Sequence, residues 1–193
     1  MKKLTAIAFV LAIAITEIQA QEQKPRLINR KSAGLLTEYG LPYYYLPEGS
    51  NRYYVLLVGG VFGLPFYKTP NFFNVSVDFY PHFGYVWVKD CRFIEFGLNI
   101  RLGLNFEVSE KNIICVKIAS GPHYMNCETE KQANGFIFSD YYLVTYKRGL
   151  KISKADFTFD FEFGYRHISN AGFKEPNRSI SNFIFGLGFY RSF

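Results

Sequence analysis

The chain has 193 residues, enough for one domain, with a formal net charge of +6 and 19% aromatic residues. After the first twenty residues, no segment is apolar for about 18 residues, which excludes a membrane-spanning helix in that part of the sequence. The basic residues are spread rather than clustered, and the sequence contains neither a nucleic-acid-binding module nor a Gly-rich phosphate loop.

The N-terminal segment has the pattern of a secretory signal peptide. Two lysines precede an apolar stretch at Thr5–Ile15, and Ile18–Ala20 provides a cleavage site. The apolar stretch is shorter than the about 20 residues that a spanning helix needs. We therefore expect residues 1–20 to be removed, which leaves residues 21–193 as a single exported domain.

Export implies an oxidising compartment, which bears on the three cysteines. Cys91, Cys115 and Cys127 match no metal-binding spacing, and the sequence predicts neither a metal nor another cofactor. One pair could form a disulfide and leave one thiol, but the spacing does not identify the pair.

Alternation of apolar and polar residues predicts strands along the whole exported domain. Eight strands are predicted, at approximately residues 30–39, 52–65, 71–88, 91–107, 111–121, 134–148, 155–169 and 181–193. The pattern is strongest in the third, fourth and seventh strands, which exceed the about 5–6 residues of a typical soluble strand. In the seventh, one face carries Phe157, Phe159, Phe161, Phe163 and Tyr165, and the other carries Asp156, Thr158, Asp160, Glu162 and Arg166.

Two all-β classes fit this pattern, a soluble sandwich and an outer-membrane barrel. The long strands have almost purely aromatic and aliphatic faces, and their polar faces mix acids, Arg, Asn and Gly as in a filled small barrel. We therefore predict an all-β, eight-stranded antiparallel transmembrane barrel in the cell outer membrane. Longer connections at Gly40–Asn51, Pro122–Ala133 and Asn170–Ile180 are then extracellular, and both termini are periplasmic.

Some residues within this pattern receive a structural interpretation. Gly59-Gly60 is interpreted as either a β-bulge or a point of close packing, and Pro81 as a β-bulge. His82 falls on an inward polar face and is assigned to an interior network, whereas His123 is expected in a loop.

His167 and Ser169 close the seventh predicted strand. Residues i and i+2 of a strand share one face, about 6.6 Å apart, and a base beside a serine can activate its hydroxyl. The pair continues the phase of Phe157–Tyr165, so it points outward at the extracellular rim. The alternative is a pair of polar residues that lies there because the strand leaves the hydrocarbon.

The residues that follow this pair carry a resemblance. The run His167–Gly172, with Pro176-Asn177 after it, resembles the motif of the lipid A 3-O-deacylase family, the PagL-like outer-membrane acyloxyacyl hydrolases. The resemblance is most specific over Tyr165–Asn177, and extends more weakly to Ser120–Tyr124, Gln132–Asp140 and the C-terminal strand.

The resemblance implies a serine esterase that removes an ester-linked acyl chain from lipid A, the membrane anchor of lipopolysaccharide. His167 is then the general base and Ser169 the nucleophile. In the family a Glu fourteen residues after the His completes the triad, and this chain has Ser181 at that position. Either Ser181 or Glu175, in the preceding loop, is the candidate that orients His167.

The oxyanion donors are expected in the loop after the seventh strand. Asn170, Gly172 and Asn177 are the candidates, and turn formation is their alternative role.

The missing acid supports a second hypothesis for the whole chain, a non-catalytic structural or adhesive barrel with a decayed site. A channel is disfavoured, because side chains fill an eight-stranded barrel.

Overall fold

Eight antiparallel strands close into one barrel in chain order, so that β1 also pairs with β8. The computed structural model describes residues 26–43, 52–68, 72–88, 91–129, 134–172, 174–176 and 179–193, and the predicted signal peptide lies outside these ranges. The strands are β1 Ser32–Pro42, β2 Tyr53–Lys68, β3 Phe73–Val88, β4 Cys91–Ser109, β5 Asn112–Met125, β6 Gly135–Ile152, β7 Ala155–Ser169 and β8 Ile180–Ser192. The all-β, eight-stranded prediction is confirmed. No helix in the described ranges is long and apolar enough to cross a membrane.

The two faces of the barrel follow the alternation predicted from the sequence. Phe161 and Phe163 of β7 are exposed on the outer surface, whereas Asp160 and Glu162 are buried inside. Polar side chains point into the barrel, where they can form hydrogen bonds with one another, and apolar side chains point outward.

Buried ion pairs fill the middle of the barrel. Arg101 donates one hydrogen bond to Glu162 at 2.8 Å and another to Glu38 at 2.9 Å. Lys117 donates to the second oxygen of Glu162 at 2.5 Å, so two cations share one carboxylate. Buried charges are tolerated only when they are paired in this way, and the pairs tie strands across the barrel.

The strand predicted at 111–121 continues further, and this corrects the expected loop position of His123. His123 lies within β5, paired with Gly97 of β4 and Ile137 of β6. The Gly-Pro step before it is not a turn. A Cβ at Gly121 would meet the Leu98 carbonyl oxygen at 1.9 Å, so glycine is required there because β4 approaches closely.

The predicted bulge at Pro81 is wrong, and of the two interpretations of Gly59-Gly60 the structure confirms close packing, at Gly59. Gly59 pairs with His82 and Phe62 pairs with Phe79, so the register is the same on both sides of Pro81. A Cβ at Gly59 would meet the Pro81 carbonyl oxygen at 2.3 Å, and glycine therefore permits this contact. The register shift between β2 and β3 lies at Pro65/Tyr67 instead.

Candidate active site

The end of β7 is held in place from inside the barrel by Arg166. Its guanidinium donates to Glu95 of β4 at 2.6 Å and lies 3.2 Å from Nδ1 of His123 in β5. Arg166 and Glu95 are completely buried. Because strand residues alternate, anchoring Arg166 inward turns His167 outward.

His167 lies directly opposite Ser181 of β8. The two side chains are in contact, with 3.2 Å between His167 Nδ1 and Ser181 Oγ. The Tyr165 hydroxyl donates to the same Oγ at 2.6 Å, and the Tyr165 ring lies parallel to the imidazole at 6.4 Å. The structure therefore brings His167 and Ser181 together, and Tyr165 holds both.

Ser169 is the last residue of β7 and pairs with Phe138 of β6. It is partly buried and lies on the same outer face as His167. Within the part of the chain that the structure describes, no hydrogen bond joins the Ser169 hydroxyl to His167. The predicted base and nucleophile are thus neighbours on one face, without a direct hydrogen bond between them.

A carboxylate that the sequence reasoning did not single out flanks His167 on its other side. Asp140 of β6 is the direct cross-strand partner of His167 and is partly buried. Opposite residues on one face have Cβ atoms about 4.5–5.5 Å apart. The sequence feature that could have identified Asp140 is an acidic residue at a position between Phe138 and Tyr142 where the alternation predicts an apolar side chain. The alternation is less regular in this strand.

Asn170 shapes the loop after β7. Its side chain is buried, donates to the Lys174 carbonyl and accepts the Gly172 N–H at 3.0 Å. Gly172 has a φ of +80°, which favours glycine. These hydrogen bonds fit the turn-forming role, and the role of Asn170 and Gly172 as oxyanion donors stays a prediction. Asn177 lies outside the described residues.

Glu175 lies further along this loop and is exposed. Its neighbour Lys174 donates to Asn134 at 2.7 Å, and Asn134 directly precedes β6. This contact ties the loop that follows Ser169 to the start of β6, the strand that carries Asp140.

The remaining histidines are buried in the barrel. His82 Nε2 lies 3.3 Å from His123 Nδ1, and His123 Nε2 lies 2.5 Å from the Ser139 hydroxyl. His82 is thus part of the interior network, as predicted. His123 belongs to the same network. Its side chain points into the barrel, whereas that of His167 points outward.

An apolar groove of about 500 Å³ runs along the outer surface over β1, β7 and β8. It is lined by Thr37, Tyr39, Phe161, Glu162, Phe163, Phe185, Gly186 and Leu187. Phe163 pairs with Phe185, four residues along β7 from the His167–Ser181 pair, or about 13 Å. The groove therefore lies on the same face as His167, toward the middle of the barrel.

A family model described as lipid A 3-O-deacylase (PagL) matches residues 61–190, which include His167, Ser169, Asp140 and Ser181. The chain belongs to the PagL family. A solved structure of the outer membrane enzyme PagL has a TM-score of 0.52 at 13% identity, over 82% of this chain and 97% of that one. The structural likeness to PagL supports the shared fold.

Two further solved structures are similar to this chain at lower TM-scores. OprG from Pseudomonas aeruginosa has a TM-score of 0.47 at 10% identity, over 86% of this chain and 96% of that one. Neisserial surface protein A has a TM-score of 0.44 at 11% identity, over 85% and 96%. No curated protein matches the sequence.

Proposed function

We propose that this protein is an outer-membrane serine esterase that hydrolyses an ester-linked acyl chain of lipid A, as a 3-O-deacylase. The observation that carries the proposal is the contact of His167 Nδ1 with Ser181, beside Ser169 on the outer face of the barrel. Membership of the PagL family gives the reaction class. The substrate is then lipopolysaccharide, and no cofactor is required for this chemistry.

A position in the outer membrane is supported by the outer surface of the barrel. Exposed aromatic and aliphatic side chains cover it on every strand from β1 to β8. Such a surface suits contact with lipid and outer-membrane acyl chains. The His167–Ser181 pair stands at the end of this apolar surface, where the ester linkages of a lipid in the outer leaflet would lie.

The proposed reaction is acyl transfer to Ser169 and then to water. With the imidazole hydrogen on Nδ1, His167 donates to Ser181 Oγ, and Nε2 accepts the proton of the Ser169 hydroxyl as Oγ attacks the ester carbonyl. His167 then protonates the departing sugar alkoxide. A water molecule, deprotonated by the same nitrogen, hydrolyses the acyl-enzyme and releases the fatty acid.

Asp140 supplies the negative charge that this mechanism needs near the base. An imidazolium forms during the reaction, and a carboxylate on the neighbouring strand stabilises it. Ser181 supplies a neutral hydrogen bond from the other side. In this proposal, the two flanking residues divide the orienting and charge-stabilising tasks that a single acid performs in a Ser-His-acid triad.

The apolar groove supports a substrate with a long hydrocarbon chain. Its lining includes four apolar side chains, Phe161, Phe163, Phe185 and Leu187, on the face that carries His167. An acyl chain in this groove would point from the ester toward the middle of the bilayer. The groove alone would also fit an ordinary membrane lipid.

A non-catalytic barrel is the second candidate function. Two observations favour it, namely that Ser181 has no carboxylate and that Ser169 makes no hydrogen bond to His167 within the described residues. A structural or adhesive barrel with a decayed site would have both features.

Mass spectrometry of lipid A separates the two functions. Lipid A is extracted from cells that express the wild-type protein, the Ser169→Ala variant or neither. If the protein is an esterase, lipid A loses one ester-linked acyl chain in the wild-type strain alone. Identical lipid A in all three strains, with the barrel present in the outer membrane, would support the non-catalytic barrel.

A further inference from the structure

Two cysteines meet at the end of the barrel that carries His167. Cys91 is the first residue of β4, and Cys127 lies just beyond the end of β5. Their Sγ atoms are 3.1 Å apart, although 36 positions separate them in the sequence. Both side chains are partly buried, so they lie between the packed interior and the rim.

Hydrogen bonds beyond the last ladder pair hold the two sulfurs together. The Asn126 N–H donates to the Ile94 carbonyl at 3.4 Å, and the Ile94 N–H donates to the Asn126 side chain at 3.1 Å. These two bonds continue the pairing of β4 with β5 past Met125. Cys127, the next residue, then packs with Cys91 against the buried cluster that includes Phe93.

Cys115 is in a different environment. Its side chain is completely buried within β5, opposite Asn105 of β4. Cys115 lies near the start of β5, roughly 30 Å from Met125 at the end of the strand at the usual rise per residue. The structure therefore separates one thiol from the other two, which the spacing of the sequence did not do.

We propose that Cys91 and Cys127 form a disulfide in the exported protein and that Cys115 stays a thiol. The proposal rests on export and on this contact, and it is independent of the esterase function. The S–S bond forms as both S–H bonds break, and two protons and two electrons are lost. The oxidant is a protein disulfide of the exporting compartment, which is reduced to two thiols.

Little movement of the two sulfur atoms is needed to form this bond. A disulfide has an S–S bond of about 2.05 Å, so the sulfurs need to approach by only about 1 Å. Cys91 and Cys127 lie at a strand end and in the segment after a strand, where such a shift disturbs few hydrogen bonds. The cross-link would fasten the outer ends of β4 and β5 beside the connection that leads to β6.

Thiol counting on the full-length exported protein tests the proposal. The protein is extracted from outer membranes, denatured without reductant, treated with a maleimide and weighed by mass spectrometry. One maleimide on the wild-type protein, and three after reduction, are the expected result. Peptide mapping should find the linked pair Cys91–Cys127 and the label on Cys115.

Single Cys→Ser substitutions identify which cysteines form the disulfide. Cys91→Ser and Cys127→Ser should each carry two maleimides without reduction, whereas the matched control Cys115→Ser should carry none. Reductant should lower the temperature at which the wild-type and Cys115→Ser barrels lose their compact gel mobility, and should leave that of Cys91→Ser unchanged. Three maleimides on unreduced wild-type protein, or a link that includes Cys115, would overturn the proposal.

Discussion

Ser181 Oγ lies 3.2 Å from Nδ1 of His167, so a hydroxyl stands where the family resemblance leads one to expect a carboxylate. This hydroxyl also accepts the Tyr165 O–H at 2.6 Å. Oxygen can accept a second hydrogen bond, and a hydrogen on Nδ1 would supply it. That tautomer leaves Nε2 as the base, so a neutral group can orient His167 even though it adds no charge.

The first prediction concerns the nucleophile and the base. Ser169→Ala and His167→Ala should each lower acyl release from lipid A by about a thousandfold or more, because each removes a reacting group. Product formation by purified protein in detergent micelles measures this. Ser109→Ala, at the turn of the opposite end, is the matched control and should keep wild-type rates. Wild-type activity in both folded site variants would reject the assignment.

The second prediction concerns Ser181. Ser181→Ala should lower activity about fivefold, since a neutral hydrogen bond contributes about 1 kcal/mol. Ser181→Glu should preserve or raise activity, because it places a carboxylate beside His167 and a charged hydrogen bond is stronger. Kinetics with heat-modifiable gel mobility as the folding check decide this. A severe defect in a folded Ser181→Glu barrel would show that the hydroxyl itself is required.

The third prediction compares the two carboxylates that could act on His167. Asp140→Asn keeps the shape of the side chain and removes its charge, and we expect about a tenfold loss in kcat/KM or more. Glu175→Gln, in the exposed loop, should cost much less. The same kinetic assay applies to both variants. The opposite order of effects would transfer the electrostatic role from Asp140 to Glu175.

The fourth prediction concerns the orientation of the barrel. With both termini periplasmic, the connection after β5 is extracellular and the β4–β5 turn is periplasmic. An epitope tag at Glu128–Lys131 should react with antibody on intact cells, whereas one at Ser109–Glu110 should react only after permeabilisation. The reverse pattern would place His167 in the inner leaflet, away from lipid A.

The fifth prediction concerns the buried pair behind the site. Glu95→Gln leaves the Arg166 guanidinium buried without a charged partner, and losing one member of such a pair costs about 3–5 kcal/mol. The barrel should unfold at lower temperature and lose activity through disorder at the end of β7. Temperature-dependent gel mobility measures the stability. Glu128→Gln, in an exposed segment, is the control and should unfold at the wild-type temperature.

The sequence alone determined the class of fold and the face on which His167 and Ser169 lie. Both follow from a period of two, which is a local property of a strand. The same alternation assigned Phe157–Tyr165 to the outer surface and His82 to the interior. It also predicted the eight strands, although the Gly-Pro step in β5 was misread as a loop.

The tertiary structure decided which residues flank His167. Asp140 and Ser181 reach it from two different strands, and their positions depend on the registers of β6–β7 and β7–β8 pairing. The contact of Cys91 with Cys127 likewise depends on pairing between β4 and β5. Register is set when distant segments of the chain come together, and the alternation within one strand specifies a face but not an opposite residue.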